Sequence, residues 1–160
     1  MKLATLRTGF GTSAIRIDGD NVGVELDYED VGQLLRSEDW RKAAQLSGEP
    51  MVFDHADLEA VVPNPGKIIC VGLNYAKHIR EMGREFPEHP TLFIKFADAL
   101  TGPYDDVFIP EYATQKLDYE GELAVIIGER AHRVNRNEAL DYVAGYAIMN
   151  DYTPVSYTHL

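Results

Sequence analysis

The sequence predicts an α+β chain assembled from short strands and a few short helices. Three observations lead there. Strand-length runs of apolar and β-branched residues recur at 2–7, 13–18, 22–26, 68–72, 91–96, 117–128 and 145–151. Helical patterns are all brief, at 30–35, 39–45, 76–82 and 137–142. Turn formers punctuate the intervals, with no internal repeat and no low-complexity tract.

Taken in order, the first 62 residues read as a small N-terminal α+β module. Asp18-Gly19-Asp20-Asn21 is rich in turn formers and separates two of its strands. Short helices read at 30–35 and 39–45, 57–61 adds a turn, and Asn137 is the N-cap candidate of the later helix. Val62-Pro63-Asn64-Pro65-Gly66 reads as a linker. Beyond it, Ile68-Ile69-Cys70-Val71-Gly72 is apolar enough for a buried strand, and Leu73-Asn74-Tyr75 turns the chain into the helix at 76–82. Gly83 suits a left-handed cap. The segment 102–115 reads as a long loop.

The stretch 117–128 is the clearest strand. Its odd positions are mostly apolar, while Asp118, Glu120 and Glu122 open the other face. Glu120 and Glu122 lie about 7 Å apart on that face. Like charges so close are unfavourable unless solvent or a cation separates them. The pair reads either as a solvated strand face or as oxygen ligands for a hard divalent cation. Asp151 ends a later strand, and is either a turn residue or a third ligand from a neighbouring strand. His78 and Glu81 share a helical face, as a surface polar pair or as a general base with its orienting carboxylate. Arg80 and Arg84 are solvated or attract an anion. Lys95, in an apolar strand, snorkels or binds a carboxylate. Cys70 reads as packing.

Composition narrows the classes. A formal charge of −11 opposes phosphate backbones, so nucleic acid is not an expected partner. No run of about 18 apolar residues marks a membrane span, and the N-terminus lacks the apolar stretch of a secretory signal. The single cysteine cannot close an internal disulfide, which fits a reducing compartment such as the cytoplasm. There is no G-x-S-x-G, P-loop, H-E-x-x-H or G-x-G-x-x-G motif, and His55, His89, His132 and His159 have no zinc-ligand spacing.

Several segments together resemble the fumarylacetoacetate hydrolase family. They are Ile69-Cys70-Val71-Gly72-Leu73-Asn74-Tyr75-Ala76-Lys77-His78, Gly102-Pro103, Leu117-Asp118-Tyr119-Glu120-Gly121-Glu122-Leu123-Ala124-Val125-Ile126-Ile127-Gly128, Tyr142-Val143-Ala144-Gly145-Tyr146 and Asn150-Asp151. The resemblance covers about residues 67–153, the N-terminal part of such a catalytic domain. It implies a mixed β-roll with short helices, commonly a homodimer. It implies that Glu120, Glu122 and Asp151 hold Mg²⁺, or Mn²⁺ or Ca²⁺, and that His78 and Glu81 form the base dyad. Arg80 and Lys95 would receive a small anionic 2-oxo acid. The implied reaction is C–C hydrolysis of acylpyruvate-like substrates, or alternatively isomerisation or decarboxylation of 2-oxo and 2-hydroxydienoic acids from aromatic catabolism. A 1,3-diketo acid chelates a divalent cation through its oxo and carboxylate groups, and the ion stabilises the enolate. The tail, 154–160, departs from the pattern, where the resemblance expects a charged, arginine-containing segment. The expectation is a truncated or chimeric product with an incomplete roll, an exposed apolar face and the prospect of no catalysis at all.

Overall fold

The structure, a computed structural model, describes residues 1–113 and 117–154. The chain is α+β, as the sequence predicts. Strands β1 (Lys2–Thr8), β2 (Gly11–Ile17), β3 (Val22–Glu25) and β4 (Pro50–Val52) form one antiparallel sheet in sequential order. Thr8 pairs with Gly11, leaving Gly9-Phe10 as a two-residue hairpin loop closed by Gly11 at φ +137°. Helix α1 (Val31–Leu35) begins where Asp30 accepts the Gln33 N–H at 2.7 Å. Helix α2 (Trp40–Ala43) follows Asp39, whose side chain makes no capping bond.

The core sits here. Ala14, Leu26, Val31, Leu34, Leu35, Trp40 and Ala44 form one buried cluster, and Ala4, Leu6, Ile15 and Phe53 a second. Strand β4 gives no sequence signal because it is three residues long and opens with proline.

From residue 67 onward the strands pair as separate two-stranded ribbons. Strand β5 (Ile68–Gly72) pairs with β6 (Thr91–Lys95), and helix α3 (Ala76–Glu81) lies between them in sequence. The expected single strand at 117–128 is instead two, β7 (Leu117–Asp118) and β8 (Gly121–Ile127), interrupted at Tyr119 and Glu120. Strand β8 pairs with β9 (Val143–Asn150) and β7 with β10 (Thr153–Pro154). The expected helix at 137–142 is a single 3₁₀ turn, Ala139–Tyr142.

Burial differs from the sequence expectation. Ile69 and Val71 of β5 are exposed, not buried, as are Leu92 and Ile94 opposite them. Leu123, Val125 and Ile127 of β8 are exposed with Tyr146 and Ile148 of β9. The other face of β8 and β9 packs on the N-terminal core through Ile126 and Ala144. A ribbon has two faces, and for β8 and β9 only one of them finds a layer to cover it. Arg7 ties the two parts together, donating to both Asp105 carboxylate oxygens at 2.6 and 2.5 Å and to Glu59 at 2.8 Å. Gly102 donates its N–H to the same Asp105, and a Cβ there would meet the Leu58 carbonyl oxygen at 2.6 Å.

Candidate functional site

The break in the long strand is where the acids meet. Asp118 pairs with Thr153 and Gly121 with Asn150, so the register places Glu120 opposite Asp151. The Asp151 N–H donates to the Glu120 carbonyl at 2.9 Å, and the Glu120 N–H donates to the Asn150 side-chain oxygen at 3.1 Å. Asn150 thus substitutes for a backbone acceptor and holds Glu120 in line. Glu122 follows one strand repeat later, half-buried in β8.

Strand β6 delivers the countercharge. Lys95, its last residue, directs its ammonium onto Asp151 Oδ1. The two side chains are 30% and 11% exposed, so the pair is largely dry. Cys70 shares the ribbon face of Lys95, being opposite Phe93 while Ile68 is opposite Lys95.

The electrostatics register the crowding. Burial pushes the Glu122 carboxyl above its ordinary range, Glu120 and Asp151 push it further, and Lys95 opposes them. Burial likewise raises the Cys70 thiol, assisted by Asp151 and Glu122 and opposed by Lys95. A thiol so placed stays protonated, which suits packing and not nucleophilic attack.

Among the described residues, no group of three or more His, Cys, Asp or Glu side chains is arranged to grip an ion as it stands. The donor chemistry nonetheless fits one. Three carboxylates act on one region in which a single ammonium pairs with Asp151, all donors are oxygens, and the excess negative charge is partly buried. Asp151 gives Oδ1 to the Lys95 ammonium, which leaves its second carboxylate oxygen for an ion.

Helix α3 approaches from the side. Leu73, at φ 55°, makes the turn after β5, and the Tyr75 hydroxyl accepts the Leu123 N–H at 3.2 Å. That contact anchors the start of α3 one residue from Glu122. His78 and Glu81 both lie on α3, exposed, with no hydrogen bond between them. The Glu81 carboxylate is 3.7 Å from the Lys77 ammonium. Arg80 lies over the Phe86 ring at 5.4 Å. The structure therefore brings Glu120, Glu122, Asp151 and Lys95 together, and leaves His78, Glu81 and Arg80 on a neighbouring exposed helix. Sequence reasoning gave no role to Asn150 or Tyr75. The only signal for Asn150 was its place beside Asp151.

Two cavities lie elsewhere, on the N-terminal sheet. One is lined by Arg7, Phe53, Asp54 and Asp57 among others, and the second by Asp20, Asn21 and His55 among others. Neither contains a candidate site residue.

This is an α+β chain whose facing strand ends present a partly buried carboxylate group beside a lysine. The family model described as fumarylacetoacetate (FAA) hydrolase, C-terminal, matches residues 67–159, and the chain belongs to that family. It is 50% identical over 99 residues to an oxaloacetate tautomerase of Bacillus subtilis, covering 60% of this chain and 33% of the relative. The solved structure of a fumarylacetoacetate hydrolase of Exiguobacterium antarcticum superposes with a TM-score of 0.77 at 29% identity, over 98% of this chain and 57% of that one. A 5-carboxymethyl-2-hydroxymuconate delta-isomerase from Mycobacterium smegmatis gives 0.75 at 28% identity, over 98% and 56%. The chain thus spans about a third of the curated relative's length and rather more than half of the solved chains.

Proposed function

We propose that this chain carries the cation-binding and substrate-gathering part of an enzyme that moves a proton on a small 2-oxo acid of the oxaloacetate type. The observation that carries the reading is the placement of Glu120 opposite Asp151 with Glu122 beside them, partly buried and short of positive charge. Glu120, Glu122 and Asp151 would hold Mg²⁺, with Mn²⁺ or Ca²⁺ as substitutes. When bound, the ion would take the substrate's oxo and carboxylate oxygens and favour the enol form.

The chain's own groups supply the rest. Lys95 attracts the substrate's carboxylate. His78 takes the proton from the carbon beside the oxo group, and Glu81 turns from Lys77 to orient the imidazole. The C–H bond breaks, its electrons form the C=C bond, and a proton returned to the oxo oxygen completes the enol. Arg80 adds positive charge near the approach. Support for proton transfer over bond cleavage comes from the 50% identical tautomerase.

The fumarylacetoacetate hydrolase likeness favours a second reading, C–C hydrolysis. There His78 would take its proton from a water that attacks the distal carbonyl of an acylpyruvate. We place the protein in the cytoplasm, as a homodimer. No helix among the described residues is long and apolar enough to cross a membrane.

The test follows oxaloacetate enol-to-keto conversion and acylpyruvate cleavage side by side, with Mg²⁺, for the unaltered chain and His78→Gln. Conversion lost in His78→Gln supports the tautomerase reading. Cleavage without conversion supports the hydrolase. A folded, ion-bound chain that does neither contradicts both.

A further inference from the structure

The N-terminal sheet is open along one seam. Its order, β1-β2-β3-β4, makes β1 and β4 the two edges. Residues 58–61 cover part of the β1 edge. Leu58 bridges Leu6, the Glu59 N–H donates to the Thr5 carbonyl, and the Thr5 hydroxyl donates to the Val61 carbonyl. The cover stops at Leu6. Beyond it Arg7, Thr8 and Gly9 line a cavity of about 460 Å³ together with Val52, Asp54 and Asp57.

Backbone groups point into this seam. Residues of an antiparallel ladder alternate between bonding the partner strand and pointing away from it. The Phe53 N–H donates to the Asn21 carbonyl at 3.1 Å, so its neighbours Val52 and Asp54 direct their N–H groups outward. Thr5 gives its carbonyl to Glu59, so Arg7, one strand repeat on, directs its N–H the same way. Among the described residues, none of these three N–H groups has a hydrogen-bond partner. Open edges are usually blunted by lysine, by proline or by a covering element. Here proline only opens β4, and Val52 is 72% exposed. The seam is also acidic. Arg7 is the one cation lining this cavity, and its guanidinium is committed to Asp105 and Glu59. Asp54 spends one oxygen on the Ala56 N–H, a neutral donor. Asp20 adds a third carboxylate in the adjoining cavity, which shares Val52, Phe53 and Asp54.

We propose that this seam docks an extended segment of a partner protein, added as a strand to the β4 edge, with lysine or arginine side chains set against Asp54 and Asp57. Backbone pairing supplies the hold and the acids select the charge. Side chains of an added strand return to the same face every second residue, so basic residues at alternate positions fit. The chain's charge of −11 draws such a segment in and repels an acidic one. The surface is separate from Glu120, Glu122 and Asp151, and it stands whether or not those acids hold an ion.

The experiment titrates the chain into a fluorescein-labelled octapeptide alternating lysine and valine and reads anisotropy, with an octapeptide alternating glutamate and valine beside it. The basic peptide should bind saturably, on the order of tenfold or more tighter than the acidic one. Val52→Pro removes one outward N–H without changing charge and should weaken binding severalfold. Asp57→Lys reverses one seam charge and should weaken it on the order of tenfold. In the complex the Val52 and Asp54 amides should exchange hydrogen more slowly, and those of β8 should be unaltered. If circular dichroism shows Val52→Pro unfolded, the basic peptide made with N-methylated valines, which cannot donate, takes its place. No saturable binding of the basic peptide, binding left unchanged by either variant, or exchange protection confined to other strands overturns the proposal.

Discussion

Single side chains decide the chemistry here through charge. Glu122 is pressed by burial and by two neighbouring carboxylates, so an ion between them, as proposed, would relieve repulsion as well as gain ligands. Glu122→Gln should therefore weaken Mn²⁺ binding on the order of tenfold or more, measured by equilibrium dialysis, while leaving the circular dichroism spectrum unaltered. A distant acid behaves oppositely. Arg7, and next the Gly102 N–H, hold the Asp105 carboxyl below its ordinary range. Its stabilisation is then fully present above the ordinary carboxylate value and is lost as pH falls through the depressed one. Asp105→Asn should cost about 1 kcal/mol at neutral pH, and that deficit should vanish in acid, as measured by denaturant unfolding across pH. The sequence offered Glu120, Glu122 and Asp151 as a group only through the family resemblance, since Glu-x-Glu alone reads equally as a solvated strand face. Lys95 on Asp151 was not legible, since a pairing across 56 positions leaves no local trace.

At the scale of elements, local signals translated well. The short helix expected over 30–35 forms as α1, and Gly83 takes φ 64° just after α3. Gly83→Ala should cost about 1 kcal/mol in thermal unfolding, since a Cβ is strained in that conformation whatever the space around it. Pairing between ribbons was less legible. The apolar content of 117–128 suggested one strand, yet the ladder opens at Tyr119 and Glu120 where side chains take over backbone roles. The Tyr75 contact with the Leu123 N–H couples α3 to β8. Tyr75→Phe should speed hydrogen exchange of the Leu123 amide severalfold, with global stability falling by at most about 1 kcal/mol.

The whole molecule is uneven. Most of the buried apolar side chains among the described residues lie in the first 62 residues, while the β5–β6 and β8–β9 ribbons present apolar faces outward. That unevenness explains why an apolar run at 68–72 suggested a buried strand and the structure shows an exposed one. Periodicity reports which side chains share a face, but not whether a layer covers it. Leu123 and Ile148 are cross-strand partners on such a face, 58% and 93% exposed. The chain should self-associate through it, and Ile148→Lys should shift sedimentation towards the monomer. An unchanged sedimentation profile would remove that face from the association.

Calorimetric titration of Mn²⁺ into the chain, with oxalate standing for the 2-oxo acid head, is the most direct examination of the carboxylate site. Saturable binding of one ion per chain, tightened by oxalate and lost in Glu122→Gln, is the predicted result. A folded chain that takes up no ion, or binds it equally well as Glu122→Gln, would contradict the assignment of Glu120, Glu122 and Asp151.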